Sequence, residues 1–166
     1  LPCVTAALDN DAQQKGTPMT TNLDSILQAA RDHAEQVIKP NVDRWNAAKK
    51  WPRDASDKAG AAGLTGLYAP QDFGGQGLPL SEGIQVYEQL GLGDGAYAFA
   101  LSMHNICTFA VCGFGTDAFK EKWARDLTSG RKLANFALTE PQSGSDVANS
   151  TMTAVEDGDS FILNGE

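Results

Sequence analysis

The run GAYAFALSMHNICTFAVCGFGT, residues 95–116, contains no Asp, Glu, Lys or Arg over 22 residues. A helix that is uncharged on every side is what the centre of a helical bundle requires. The same length can also cross a bilayer, but polar residues interrupt the run and its flanks are Asp94 and Asp117 rather than basic residues. The interrupting polar residues are Ser102, His104, Asn105 and Thr108. We therefore predict a buried core helix with no membrane, and with it a mainly α fold.

Apolar side chains at helical spacing predict further helices on both sides of this run. One begins at Leu23 and is interrupted or kinked at Pro40, beyond which the pattern can resume. Shorter helices are predicted over 54–62, from about 81 to 91 or 93, and after Thr116, which is an acceptable N-cap. Together these segments predict an up-and-down helical bundle.

After Gly130 the hydrophobic period changes from helical to alternating. Residues 133–139 (LANFALT) are predicted to form a strand, and residues 151–155 and 161–163 a hairpin around EDGDS. The β structure has scarcely begun when the sequence stops. We therefore divide the sequence into a flexible N-terminal extension over 1–21, a helical domain over 22–132 and the first strands of an incomplete β-domain over 133–166.

The charge balance argues against several classes of partner. The 166 residues hold 13 basic and 21 acidic side chains, a net charge of −8. A non-specific nucleic-acid or anionic-membrane binder needs a basic face, so we expect neither partner. The segment 119–132 is locally basic and is the one candidate for an anionic ligand, although a solvated helix face has the same pattern. Three cysteines without Cys/His clustering indicate neither zinc nor a disulfide framework.

The segment ALTEPQSGSD, residues 137–146, carries the pattern most suited to ligand binding. It places hydroxyl groups and a flexible glycine just beyond the predicted strand. Such a loop can offer O–H and backbone N–H donors to a planar heterocycle or a phosphate. Ser and Asx turns that merely close a loop use the same residues, so the alternative of a purely structural turn stays open.

This segment, extended to ALTEPQSGSDVAN, resembles the first signature of the acyl-CoA dehydrogenases. GLTGLYAPQDFGGQGLPL is similar to the Gly-rich loop of that family, and VEDGDSFILNGE resembles the first hairpin of its middle β-domain. The resemblance covers about 22–166 and departs at Asn149, where the signature usually ends in a smaller residue. It implies the N-terminal helical bundle of this family, followed by part of its β-domain.

The resemblance implies FAD as the cofactor, lying along Phe136–Ser145. Thr139 and the neighbouring backbone would bond the pyrimidine edge of the flavin, while Ser145 would contact the pantetheine arm of the thioester or the cofactor phosphates. Glu140 would be structural rather than a general base. The implied cofactor-binding residues are Phe136, Ala137, Leu138, Thr139, Ser143, Gly144 and Ser145.

The resemblance also implies a substrate, an acyl-CoA thioester. Phe99, Ser102 and Met103 stand where relatives line the acyl pocket and would bind substrate together with Ser145. On spacing alone, the same three positions of the uncharged run are simply core residues.

The implied reaction is FAD-dependent α,β-dehydrogenation, with electrons passed to a flavoprotein acceptor. The family's catalytic base is expected beyond residue 166, so we expect this chain alone to be inactive. We expect a bacterial-type cytoplasmic or mitochondrial-matrix protein that is not secreted, in a family that is usually homo-oligomeric. Three alternatives remain: an acyl-CoA oxidase or flavin monooxygenase of the same superfamily, one subunit of a two-chain enzyme, and a non-catalytic helical interaction module.

Overall fold

A computed structural model describes residues 23–166 as six α-helices followed by one β-hairpin. The predicted N-terminal extension lies outside the described residues. The helices are α1 Leu23–His33, α2 Val42–Ala48, α3 Arg53–Ala61, α4 Leu80–Gly91, α5 Gly95–Phe114 and α6 Asp117–Thr128, and the strands are β1 Thr153–Asp157 and β2 Ser160–Asn164. The prediction of a mainly α fold with little β structure is confirmed.

Local sequence signals account for where the helices begin and end. Asp94 caps α5, because its carboxylate accepts a hydrogen bond of 2.7 Å from the backbone N–H of Tyr97. Thr116 caps α6 in the same way, with its hydroxyl oxygen 3.3 Å from the Phe119 nitrogen, as predicted. The predicted break near Pro40 is also confirmed: a π-helical turn, Ala34–Ile38, follows α1, and a turn separates it from α2.

The bundle is built by packing neighbours against each other, α1 on α4, α4 on α5 and α5 on α6. Small and branched side chains of α1 and the π-helical turn meet Val86 and Leu90 of α4 and Leu101 of α5. Leu64 and Leu67, from the loop between α3 and α4, complete this core. Removing such apolar surface from water is the main favourable contribution to folding.

Within the described residues, α5 is the one helix long and apolar enough to cross a bilayer, by length and composition only. Its polar side chains are instead bonded to other parts of the bundle. The ring nitrogen Nε2 of His104 lies 3.1 Å from the carbonyl oxygen of Leu127 in α6. Asn105 bonds the loop that follows α3. These contacts are those of a buried core helix.

The described chain divides after Leu133 into two compact units. In the second unit, β1 and β2 pair antiparallel, with Val155 opposite Ile162 and a turn in which Gly158 has a φ of +60°. The predicted hairpin is therefore confirmed. The predicted strand over 133–139 is wrong: the only sheet within residues 23–166 is this hairpin. Residues 133–139 have strand-like composition but no strand beside them, and composition alone does not make a ladder.

A buried histidine makes the stability of the bundle depend on pH. His33 is 4% exposed and its Nε2 lies 2.9 Å from the Tyr97 hydroxyl. Burial, and secondarily the positive charge of Lys58, lowers the pKa of His33 from 6.5 to about 4. Below pH 6.5, His33 takes up a proton in the unfolded chain but stays neutral in the folded chain. The free energy of unfolding therefore falls as the pH is lowered towards 4.

We expect this histidine to cost about 2 kcal/mol of stability between pH 7 and pH 5. Urea unfolding at the two pH values measures the loss. His33→Gln is the matched control, because it keeps a polar side chain near the Tyr97 hydroxyl and removes the titration. An identical loss in the variant and in the parent protein would show that His33 is not responsible.

Candidate functional site

The loop over residues 140–146, which belongs to the signature segment, is closed by hydrogen bonds of its own backbone. The backbone N–H of Glu140 donates to the carbonyl oxygen of Ser143 at 2.9 Å, and the reverse bond is 3.0 Å long. The Ser143 side chain is buried, and its hydroxyl donates to the Asp146 carbonyl at 2.6 Å. The loop between Glu140 and Asp146 thus has a fixed shape, and the hydroxyl of Ser143 is used in maintaining it.

Glu140 ties the loop to the segment that enters β1. Its carboxylate accepts bonds from the backbone N–H groups of Thr151, at 2.7 Å, and Met152, at 3.0 Å. The Thr151 hydroxyl, at 3.0 Å, and the Gln142 amide also donate to it. These donors lower the pKa of Glu140, and the two backbone N–H groups have the largest effect. A carboxylate held ionised by four donors is a structural brace and a poor proton acceptor.

The residues before Glu140 have the opposite character. Ala137, Leu138 and Thr139 are exposed, and their backbone groups form no hydrogen bond with any residue in 23–166. The hydroxyl groups of Thr139 and Ser145 are likewise exposed and unpaired within that range. The structure thus leaves a short row of free donors and acceptors beside a rigid turn. This donor set fits the polar edge of a planar heterocycle such as a flavin.

The three residues predicted to line an acyl pocket share one face of α5. Phe99 is 65% exposed, while Ser102 and Met103 are partly exposed. Ser102 donates to the Phe99 carbonyl at 2.7 Å. The alternative that all three are simply core residues is therefore wrong for Phe99. Sequence reasoning missed Ile106, which is 37% exposed and continues the same face at a spacing of seven residues.

Several basic side chains of the segment 119–132 are already bonded to other residues of the protein. Arg131 and Lys132 both pair with Asp126, and Arg125 donates to the Asp72 carbonyl at 2.8 Å. Lys120 and Lys122 form no ion pair with other described residues. The arrangement is that of a solvated helix with mixed charge, which was the alternative to an anion site.

Within residues 23–166 there is no group of three or more His, Cys, Asp or Glu side chains placed to hold a metal ion. Cys107 and Cys112 are free thiols buried in the bundle, and burial raises the pKa of both. They are core side chains, as expected from the sequence.

Comparison with known proteins gives a consistent result. Residues 20–131 match the family profile described as acyl-CoA dehydrogenase, N-terminal domain. The chain is 33% identical over 147 residues to the mitochondrial isobutyryl-CoA dehydrogenase of Dictyostelium discoideum, an alignment that covers 89% of this chain and 35% of the relative. This chain belongs to the acyl-CoA dehydrogenase family.

Solved structures agree with this assignment. Butyryl-CoA dehydrogenase from Megasphaera elsdenii superimposes with a TM-score of 0.79 at 30% identity, covering 90% of this chain and 40% of that one. The FAD complex of PigA gives a TM-score of 0.79 at 28% identity, with the same coverage. The chain thus spans 35–40% of the length of these relatives.

Proposed function

We propose that this chain supplies the helical domain and the flavin-contacting loop of an FAD-dependent acyl-CoA dehydrogenase. The observation that carries the proposal is the loop around Glu140, in which a braced turn is preceded by exposed donors at 137–139 that no residue of 23–166 pairs with. Family membership supports the proposal, and one solved relative is an FAD complex. FAD supplies the hydride acceptor of the reaction when it is bound.

In this proposal the residues Phe136–Ser145 hold the cofactor. Thr139 and the neighbouring backbone N–H groups donate to the pyrimidine edge, where they stabilise negative charge. Ser145 bonds the cofactor phosphates or the pantetheine arm of the substrate. Ser143 acts indirectly, since its hydroxyl is already bonded to Asp146, and Gly144 leaves room for a close approach because a Cβ there would meet nothing within 4 Å.

The exposed face of α5 is proposed to contact the acyl group of the thioester. Phe99 and Met103 offer apolar surface there. Ser102 contributes a short side chain, whose hydroxyl is bonded to the carbonyl of Phe99 in the same helix. Removal of a proton from Cα requires a general base whose pKa lies near the operating pH. Glu140 does not serve, because four donors already bond its carboxylate and lower its pKa, which makes it a weak base. We therefore propose that the base lies outside residues 1–166 and that the 166-residue chain alone does not turn over acyl-CoA.

An anaerobic titration of the purified complete gene product with short-chain acyl-CoA tests the reaction. We expect a flavoprotein whose visible flavin absorbance is bleached by substrate and restored by a flavoprotein electron acceptor. Restoration by oxygen as fast as by that acceptor would instead indicate an oxidase or monooxygenase. A second polypeptide that co-purifies and is required for bleaching would indicate a two-chain enzyme. Absence of flavin after reconstitution would contradict the proposal and favour an interaction module.

The setting of the protein is proposed from its relatives. One relative is named as mitochondrial and another comes from a bacterium, so we propose the mitochondrial matrix or the bacterial cytoplasm. We also propose homo-oligomeric assembly, which is usual in the family.

A further inference from the structure

A cleft of about 490 Å³ opens in the first unit, and none of the residues assigned above to cofactor and substrate lines it. It lies between α2, the turn that follows α2, and the first turns of α5. Three aromatic rings, Trp45, Trp51 and Tyr97, form its apolar walls and floor. Its volume is within the range usual for small-molecule sites.

The floor of this aromatic cleft is fixed by hydrogen bonds. Tyr97 is 2% exposed, its hydroxyl lies 2.9 Å from Nε2 of His33, and its backbone N–H is bonded to Asp94. Burial, followed by the charge of Asp54, raises the pKa of Tyr97, so the phenol is neutral. Asp54 is not part of the cleft lining. The floor is therefore a rigid, uncharged ring.

The two tryptophans extend this floor as a stacked set. The rings of Trp51 and Tyr97 are 10° from parallel with centroids 5.3 Å apart, and those of Trp45 and Tyr97 are 23° from parallel at 5.8 Å. Nε1 of Trp51 donates to the Ser56 hydroxyl at 2.8 Å, which fixes that ring. Trp51 is nevertheless 39% exposed. An aromatic surface is thus held in place and remains accessible to a further planar ring.

The free charges at the cleft are positive. Lys49 and Lys50 line it, are exposed, and form no ion pair with any residue of 23–166. The acid in the lining, Asp94, caps α5, so its charge is offset by a hydrogen bond and by the positive end of that helix. An anion is therefore favoured over a cation, although the chain as a whole is at −8.

We propose that this aromatic cleft binds small planar aromatic anions, with the ring stacked on the tryptophans and the anionic group against Lys49 and Lys50. Stacked aromatic pairs and lysine–anion pairs are each modest contributions. The site therefore suits a ligand that has both features in one molecule. A neutral ring or a non-aromatic anion satisfies only half of the site.

NMR spectroscopy of the indole N–H groups of residues 1–166 provides the test, because this stretch holds three tryptophans and Trp123 lies on α6, outside the cleft lining. Indole-3-acetate is the probe, indole-3-ethanol the neutral control and cyclohexanecarboxylate the non-aromatic control. We expect saturable shifts at Trp45 and Trp51, none at Trp123, and at least fivefold weaker binding of either control. Equal binding of the controls, or no shift at millimolar probe, would overturn the proposal.

Variants that leave the fold intact separate the contribution of the lysines to binding from that of the aromatic rings. Lys49 has a φ of +48°, a left-handed conformation that glycine adopts without strain, so Lys49→Gly removes a charge without disturbing the turn. The double variant Lys49→Gly, Lys50→Ala is expected to bind indole-3-acetate five- to tenfold more weakly, with binding of indole-3-ethanol unchanged. Lys122→Ala on α6 is the matched control and should bind as the parent protein does. Unchanged affinity in the double variant would contradict the assigned role of the lysines.

Discussion

Replacing Asn105 by alanine is expected to lower the free energy of unfolding by about 3–5 kcal/mol. The side chain is 1% exposed and lies at the middle of α5. Its Oδ1 accepts the backbone N–H of Leu67 at 2.9 Å, while its Nδ2 donates to the carbonyls of Leu64, at 2.9 Å, and Leu101, at 3.1 Å. Alanine would leave buried loop groups without partners and a cavity beside them.

Urea unfolding measures this loss, and two variants place it in context. Asn105→Asp keeps the acceptor for Leu67 but buries a carboxylate oxygen against the carbonyls of Leu64 and Leu101, so we expect a loss at least as large at neutral pH. Asn46→Ala, at an exposed position of α2, should change stability by less than about 0.5 kcal/mol. If Asn105→Ala unfolded within 1 kcal/mol of the parent protein, the loop would not depend on α5 in the way described.

Replacing Gly60 by alanine is expected to destabilise the bundle by about 2–4 kcal/mol through overpacking. A Cβ at this position of α3 would overlap the carbonyl oxygen of Ser129 and stand 2.9 Å from its carbonyl carbon. The Ser129–Gly130 turn is held in place and cannot easily shift away from the added methyl group. Gly130 has a φ of +72°, and Arg53 donates to its carbonyl at 2.6 Å.

Gly113→Ala is the matched control for this substitution. Gly113 lies within α5, and a Cβ there meets nothing within 4 Å. Alanine should therefore stabilise the protein by about 0.5–1 kcal/mol, because it favours the helix over the unfolded chain. Thermal or urea unfolding that gave the two variants the same sign would contradict the close approach of α3 to the turn after α6.

Features that depend on residues close together in the sequence were predictable from it. The core position of α5 follows from its lack of charge, and its companion α6 begins at the predicted cap, Thr116. The predicted strand over 133–139 failed because a strand is defined by a partner, and no partner is visible in the local pattern. The aromatic cleft was equally out of reach, since Trp45, Trp51 and Tyr97 meet only after folding.

The candidate flavin loop was located by its signature, but the division of labour within it required the structure. Ser143 and Ser145 look equivalent in the sequence. The structure buries Ser143 against Asp146 and leaves Ser145 exposed. For Glu140, the resemblance implied a structural role, and the structure shows the bonds to Thr151 and Met152 through which it acts.

The affinity of the complete protein for FAD, compared between the parent protein and Thr139→Ala, tests the central claim most directly. Thr139 is exposed and its hydroxyl is unpaired within residues 23–166, so the variant should fold normally. Thr153→Ala, in the exposed strand β1, is the control. We predict three- to tenfold weaker binding of FAD by Thr139→Ala, as loss of one hydrogen bond implies, and no change for Thr153→Ala. Equal affinity of Thr139→Ala and the parent protein for FAD would contradict the assignment of this loop to the flavin.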